Sequence, residues 1–179
     1  MLGALRELFV PKPPQAVEET YIALVRAARN PFFYTALQVP DTLDGRFELI
    51  VLHLFLLQHR LLGTKENEAF AQFLSEAFFR DMDCSLRELG IADTGVSHRI
   101  KKMGKAYNGR LQAYTQGLSD GQALRAALAR NLYGTVEQGE VALLDRGAEY
   151  VMAMTTHLAT VDVATIMVAQ FMWPAPESL

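Results

Sequence analysis

A single cysteine, Cys84, stands in this chain of 179 residues, so no intrachain disulfide can form and a reducing compartment suits it. No Gly-rich phosphate loop, nucleophile elbow or zinc motif occurs, which excludes the enzyme and metal classes those motifs mark. The histidines are dispersed. His53 and His59 are six apart, whereas a metal shared on one helix needs an i,i+4 pair, and His98 and His157 are isolated. No apolar run reaches the roughly 20 uncharged residues of a transmembrane helix. Met1 to Val10 carries Arg6 and Glu7 inside its only apolar patch, so it lacks a signal-peptide core. It also lacks the Arg- and Ser-rich character of a mitochondrial presequence. A cytoplasmic location is therefore expected. Repeats, strand-like alternation and low-complexity stretches are missing too. The net charge of −3 and pI near 5.8 argue against a generic nucleic-acid binder.

What the chain does have is apolar mass at helical spacing. Half of it is hydrophobic, with ten Phe and seven Met, which suits an adaptable core or contact surface. Its length fits one domain that hides roughly 70% of the unfolded surface. The organising stretch is Leu43 to Leu62. Between Phe47 and Leu57 only Glu48 and His53 are polar, and neither Gly nor Pro interrupts the run. At about 100° per residue the polar groups disperse and aliphatic groups point nearly everywhere, the pattern of a helix packed on most sides. Thr42 or Asp44 should cap its start and Gly63-Thr64 close its end.

Around it the periodicity predicts further helices. Met1 to Phe9 suits a short amphipathic turn ended by Pro11, Pro13 and Pro14. A helix from about Ala16 to Arg29 stops at Asn30-Pro31, and Phe32 to Tyr34 forms an apolar plug. The next runs from about Glu66 to Leu89, with Gly90 as its stop. Another follows in which Val96, Ile100, Met103, Tyr107, Leu111 and Tyr114 step by three and four, capped by Asp93-Thr94 or Ser97. Asp120 introduces one with Leu124, Ala127, Leu128 and Leu132 inward. Val141 to Leu158 supplies one more, Val161 to Phe171 should be buried, and Trp173 onward reads as a tail. The prediction is an all-α, single-domain bundle of about seven helices around 43–62. Its parts are an N-terminal segment over 1–15, a helical domain over 16–172 and a C-terminal tail over 173–179.

The candidate sites are charged and non-catalytic. Ser97 to Arg110 holds Arg99, Lys101, Lys102, Lys105 and Arg110 without one acid, in an acidic protein. These cations should form an exposed face, either solvated or docking an acidic protein segment, lipid head groups or RNA. Reading of DNA is not expected, since the turn before this helix is too long and Gly104 and Gly109 weaken it. Glu76 with Arg80 and Asp83 with Arg87 are i,i+4 pairs in the favourable order. Asp81 and Asp83 point about 200° apart, so they cannot converge on one substrate atom. His53 should be a satisfied core histidine, and Cys84 a small core residue. No cofactor is expected, although His53 would be the one axial ligand if the bundle held haem.

The stretches Asp41 to Leu57 and Phe79 to Val96 resemble those of the ubiquinol–cytochrome c chaperone family. The likeness continues through Ile100 to Met103, Ala106 to Tyr114 and Ala129 to Tyr133, and so covers about Tyr21 to Tyr133. On this resemblance the chain is identified as a bacterial member. The resemblance implies a non-enzymatic assembly factor for the cytochrome bc1 complex that binds newly made cytochrome b. Mitochondrial members act with a small partner protein and associate with ribosomes, so a bc1 subunit, a ribosome, a small partner and peripheral contact with the inner membrane are the implied partners. The positions it puts forward for partner contact are Arg46, Asp81, Asp83, Arg87, Lys101, Lys102 and Arg110. The basic helix adds Arg99 and Lys105. A ribosome- or RNA-binding adaptor using 97–110 is the alternative.

Overall fold

Residues 14–134 and 141–178 are described by a computed structural model of the chain. The expected turn over Met1 to Phe9 lies outside the described residues. In order the elements are α1 (Gln15–Ala28), α2 (Phe32–Thr35), α3 (Leu43–Leu61), α4 (Lys65–Glu88), α5 (Asp93–Gly117), α6 (Gly121–Asn131), α7 (Val141–Thr160), α8 (Val163–Met167) and a final 3-10 turn (Pro176–Ser178). Among the described residues there is no strand. The fold is the all-α bundle read from the periodicity.

α3 is the axis. Thr42 Oγ1 accepts from Gly45 N at 3.1 Å and starts it. Every residue from Glu48 to Leu57 is buried, because α1, α4, α5 and α7 all pack against it. Truncating one such leucine to alanine costs about 2–5 kcal/mol. Thr64 caps α4 through Asn67 N, and Asp120 caps α6 through Gln122 N and Ala123 N. α4 ends in a Schellman motif: Ile91 N donates to Leu86 O and Gly90 N to Arg87 O. Gly90 takes φ +77 there, which a side chain resists. α5 departs from expectation at its start. Ala92 is the N-cap and makes no side-chain bond, while Asp93 lies in the first turn.

Polar side chains tie the helices where the core would otherwise be featureless. Arg60 on α3 donates to Leu158 O and Val161 O, both at 2.7 Å, and so closes the C-terminal end of α7. Gln58 donates to Ala71 O and Ser75 Oγ of α4 and accepts from Tyr107 of α5 at 2.6 Å, joining three helices.

Two burial expectations need correction. Of 161–171 only Ile166 is fully buried; α8 is a short outer turn over α1, held by Thr20 Oγ1 donating to Ile166 O at 3.2 Å. Cys84 is exposed, because it lies about 200° round α4 from the buried Leu86. The chain from Trp173 onward lies back across the body, its indole 5.1 Å from the His53 ring.

Candidate functional site

α5 presents the cationic ridge. Arg99, Lys101, Lys102 and Lys105 are exposed on its outer side, while Val96, Tyr107 and Tyr114 of the same helix are buried. None of these four cations forms an ion pair among the described residues. Gly104 and Gly109 lie within the continuous helix, Gly104 toward Phe79 of α4 and Gly109 toward open space. Four unpaired cations in about two turns make a local positive field on an acidic molecule, fit for an anionic partner.

Arg110 does not belong to that ridge, contrary to its expected place on the exposed face. Its side chain turns inward from α5, lies over the Phe47 ring at 5.7 Å and clamps Glu48, donating from Nε to Oε2 at 2.6 Å and from Nη2 to Oε1. Glu48 is buried on α3. Desolvation pushes its carboxyl above the usual range, and the Arg110 hydrogen bonds pull the other way. The pair joins α5 to α3 and occupies the guanidinium within the body.

The other charged candidates sit around α4 in local pairs. Asp83 accepts from Arg87 Nε at 2.6 Å, the expected i,i+4 pair, and Arg87 also reaches Asp93 at the start of α5. Both partners hold the Arg87 guanidinium further above its usual range, the Asp83 hydrogen bond most strongly. Asp81 points elsewhere and accepts from the Tyr21 hydroxyl of α1 at 2.8 Å. Burial, followed by this bond, pushes the Tyr21 phenol well up. The two aspartates do not converge. The expected Glu76–Arg80 pair is not formed: Arg80 reaches across to Glu18 on α1 at 3.3 Å, and Glu76 accepts from Gln72. Arg46 pairs with Asp41 just outside α3, both exposed, which holds the Asp41 carboxyl low. Such surface pairs are screened by solvent, contribute little to stability and leave their charges available to a partner.

His53 is satisfied twice. Leu49 O can only accept, so Nδ1 carries the proton and donates to it at 2.7 Å; Nε2 then accepts from Tyr150 on α7 at 2.8 Å. With Phe33, Tyr150 and Trp173 around the ring, burial pulls its pKa down to about 4. Both nitrogens are engaged, so this imidazole has none free for a haem iron. Spacing within one helix could not reveal Tyr150 and Trp173, which come from the distant C-terminal third of the chain.

The RNA- or ribosome-adaptor alternative gains no support. Tyr107, the one Tyr, Phe or Trp within 97–110, is buried and offers no ring on which a base could stack. No helix among the described residues is long and apolar enough to cross a membrane.

The chain is similar to known proteins along most of its length. A crystal structure of the Cbp3 homolog from Brucella abortus superposes with a TM-score of 0.81 at 35% identity, covering 100% of this chain and 99% of that one. Protein CBP3, mitochondrial, of Saccharomyces cerevisiae is 24% identical over 150 residues, which are 81% of this chain and 45% of the relative. The chain thus spans less than half the length of that curated relative. The sequence profile of the ubiquinol-cytochrome C chaperone family matches residues 35–173. The match therefore begins after α1 and includes the last two helices, further toward the C-terminus than the motifs alone indicated. On that match the chain belongs to the ubiquinol-cytochrome C chaperone family.

Proposed function

We propose that this chain is a non-enzymatic assembly chaperone for the cytochrome bc1 complex and that it receives newly made cytochrome b. It does so at the cytoplasmic face of the inner membrane. The observation that carries the reading is the family match over residues 35–173, which spans the central helix, the α4 patch and the ridge. The physics of the surface agrees. A helper for a membrane subunit needs charged points to hold extramembrane loops, and Arg99, Lys101, Lys102 and Lys105 provide four that are unpaired among the described residues. Asp83, Arg87 and Arg46 add charges held only by surface pairs and open to exchange with a partner's, and Asp81 adds a carboxylate tied to the Tyr21 hydroxyl. As with the mitochondrial members that the family resemblance brings in, a small partner protein and the ribosome are the further partners of this reading.

The test is deletion of the gene in its host, followed by spectroscopic measurement of b-type haem and of bc1 activity in membranes. Loss of both, restored by the wild-type gene, is expected. Normal haem b and normal activity in the deletion strain would defeat the reading.

A further inference from the structure

Up to Ile166 the C-terminal chain is bound to the body by polar contacts: Arg60 holds Val161 O, and Thr20 holds Ile166 O. Beyond Gln170 the attachment changes. Among the described residues, 171–178 make hydrogen bonds only with one another, from Ser178 to Ala175 O. From Gln170 to Ala175 the chain has no regular structure, and over Gln170 to Trp173 its side chains alternate out and in as in an extended peptide. Phe171 and Trp173 turn inward half-buried, their rings 5.4 Å apart, while Met172 between them is 84% exposed. The Trp173 indole N–H is buried and has no acceptor among the described residues, although a buried indole usually finds one. Just before this stretch Ala169 takes φ +58, a left-handed turn at a non-glycine residue.

A cleft of about 420 Å³ lies between the segment and the body, walled on one side by residues 171–176 themselves and on the other by Ala23, Arg26 and Ala27 of α1, Asn30, His53 of α3 and Tyr150 of α7. The two alanines let a backbone approach α1 closely, and the aromatic cluster offers apolar contact beneath. An extended segment held to the body by apolar contacts, chiefly its two rings, with an open cleft between the two, has the attachment of a bound peptide rather than of a core strand.

We infer that this cleft is a binding groove for an extended apolar segment with bulky side chains two residues apart, and that residues 171–178 are its internal occupant, displaced when the client segment arrives. The inference rests on the chaperone reading only for who supplies that segment.

Trp173 is the chain's one tryptophan, so the full-length protein reports on its own segment. The probe is a synthetic peptide with the sequence of residues 168–178 and Phe in place of the tryptophan; a scrambled peptide is the control. Saturable red-shifting of Trp173 emission and stronger acrylamide quenching are expected with the probe alone. The full-length F171A/W173A variant should bind the fluorescein-labelled probe about tenfold more tightly than wild type. Unchanged emission at high probe concentration, or a variant that binds no more tightly, overturns the inference. If that variant does not fold, urea unfolding of the wild type decides. A tryptophan transition well below the loss of helical ellipticity supports an independently opening segment, and coincident transitions overturn it. Haem b in the deletion strain is untouched by these outcomes, so the groove can fail while the chaperone reading stands.

Discussion

Arg110 reaches from α5 to both carboxylate oxygens of Glu48 on the central helix, sixty-two residues away. The pair fastens the helix bearing the ridge to the axis of the fold. Arg110→Ala would leave a buried, uncompensated carboxylate and should cost about 3–5 kcal/mol. Glu48→Leu with Arg110→Met should recover most of that loss, since two apolar groups replace both charges. Urea unfolding of the single and double variants checks it. A single variant as stable as wild type would show that the carboxylate is not held as described.

Acid should weaken the fold through His53. Its folded pKa is pulled down to about 4 from an ordinary 6.5, so between those values the unfolded chain takes up a proton that the folded one refuses. Stability due to the neutral imidazole is then intact above pH 6.5 and lost progressively as the pH falls toward 4. The loss is about 3 kcal/mol at most. His53→Gln should be less stable at neutral pH yet lose less between pH 6.5 and 4.5. Parallel urea midpoints for the two proteins across that range would assign the acid loss to other groups.

Glycines of neighbouring helices should respond oppositely to the same methyl group. A Cβ at Gly45 would lie 2.0 Å from Pro40 O, a backbone atom that cannot swing aside. Gly45→Ala should cost about 3 kcal/mol, at the upper end of overpacking. At Gly109 nothing lies within 4 Å of the added carbon, so Gly109→Ala should stabilise α5 by about 0.5–1 kcal/mol. Thermal unfolding distinguishes them, and equal shifts of one sign would contradict this packing.

Reversing Lys101 and Lys102 to Glu should leave thermal stability within about 0.5 kcal/mol of wild type, because both are exposed and unpaired. On the proposed function, capture of cytochrome b should weaken several-fold, and more at low salt than at high. Pull-down from membranes at two salt concentrations measures this. A large fall in melting temperature would place these lysines in structural ion pairs instead.

The helical period carried much of this architecture in plain view. The run from Phe47 to Leu57 announced a helix surrounded by others, and Thr42 and Asp120 announced its start and that of α6. What the period cannot convey is the partner opposite a polar group. Arg110 reads as one more cation of a ridge until Glu48 is seen beneath it. His53 reads as a generic core histidine until Tyr150 and Trp173 arrive from the far end of the chain. The apolar segment 161–171 misleads for a related reason: it forms the outermost layer over α1, so hydrophobic character does not become depth. Cys84 reads as core by residue type, and only its angular position on α4 puts it outside.

That outward position makes Cys84 useful at the bench. It is the chain's one thiol, as Trp173 is its one indole, and it stands on α4 among Asp83 and Arg87. A maleimide acceptor dye can therefore be attached to the wild-type protein without engineering, giving a unique energy-transfer pair with the C-terminal indole. Movement of that segment against the helical body becomes readable as a change in transfer efficiency, in the unaltered sequence.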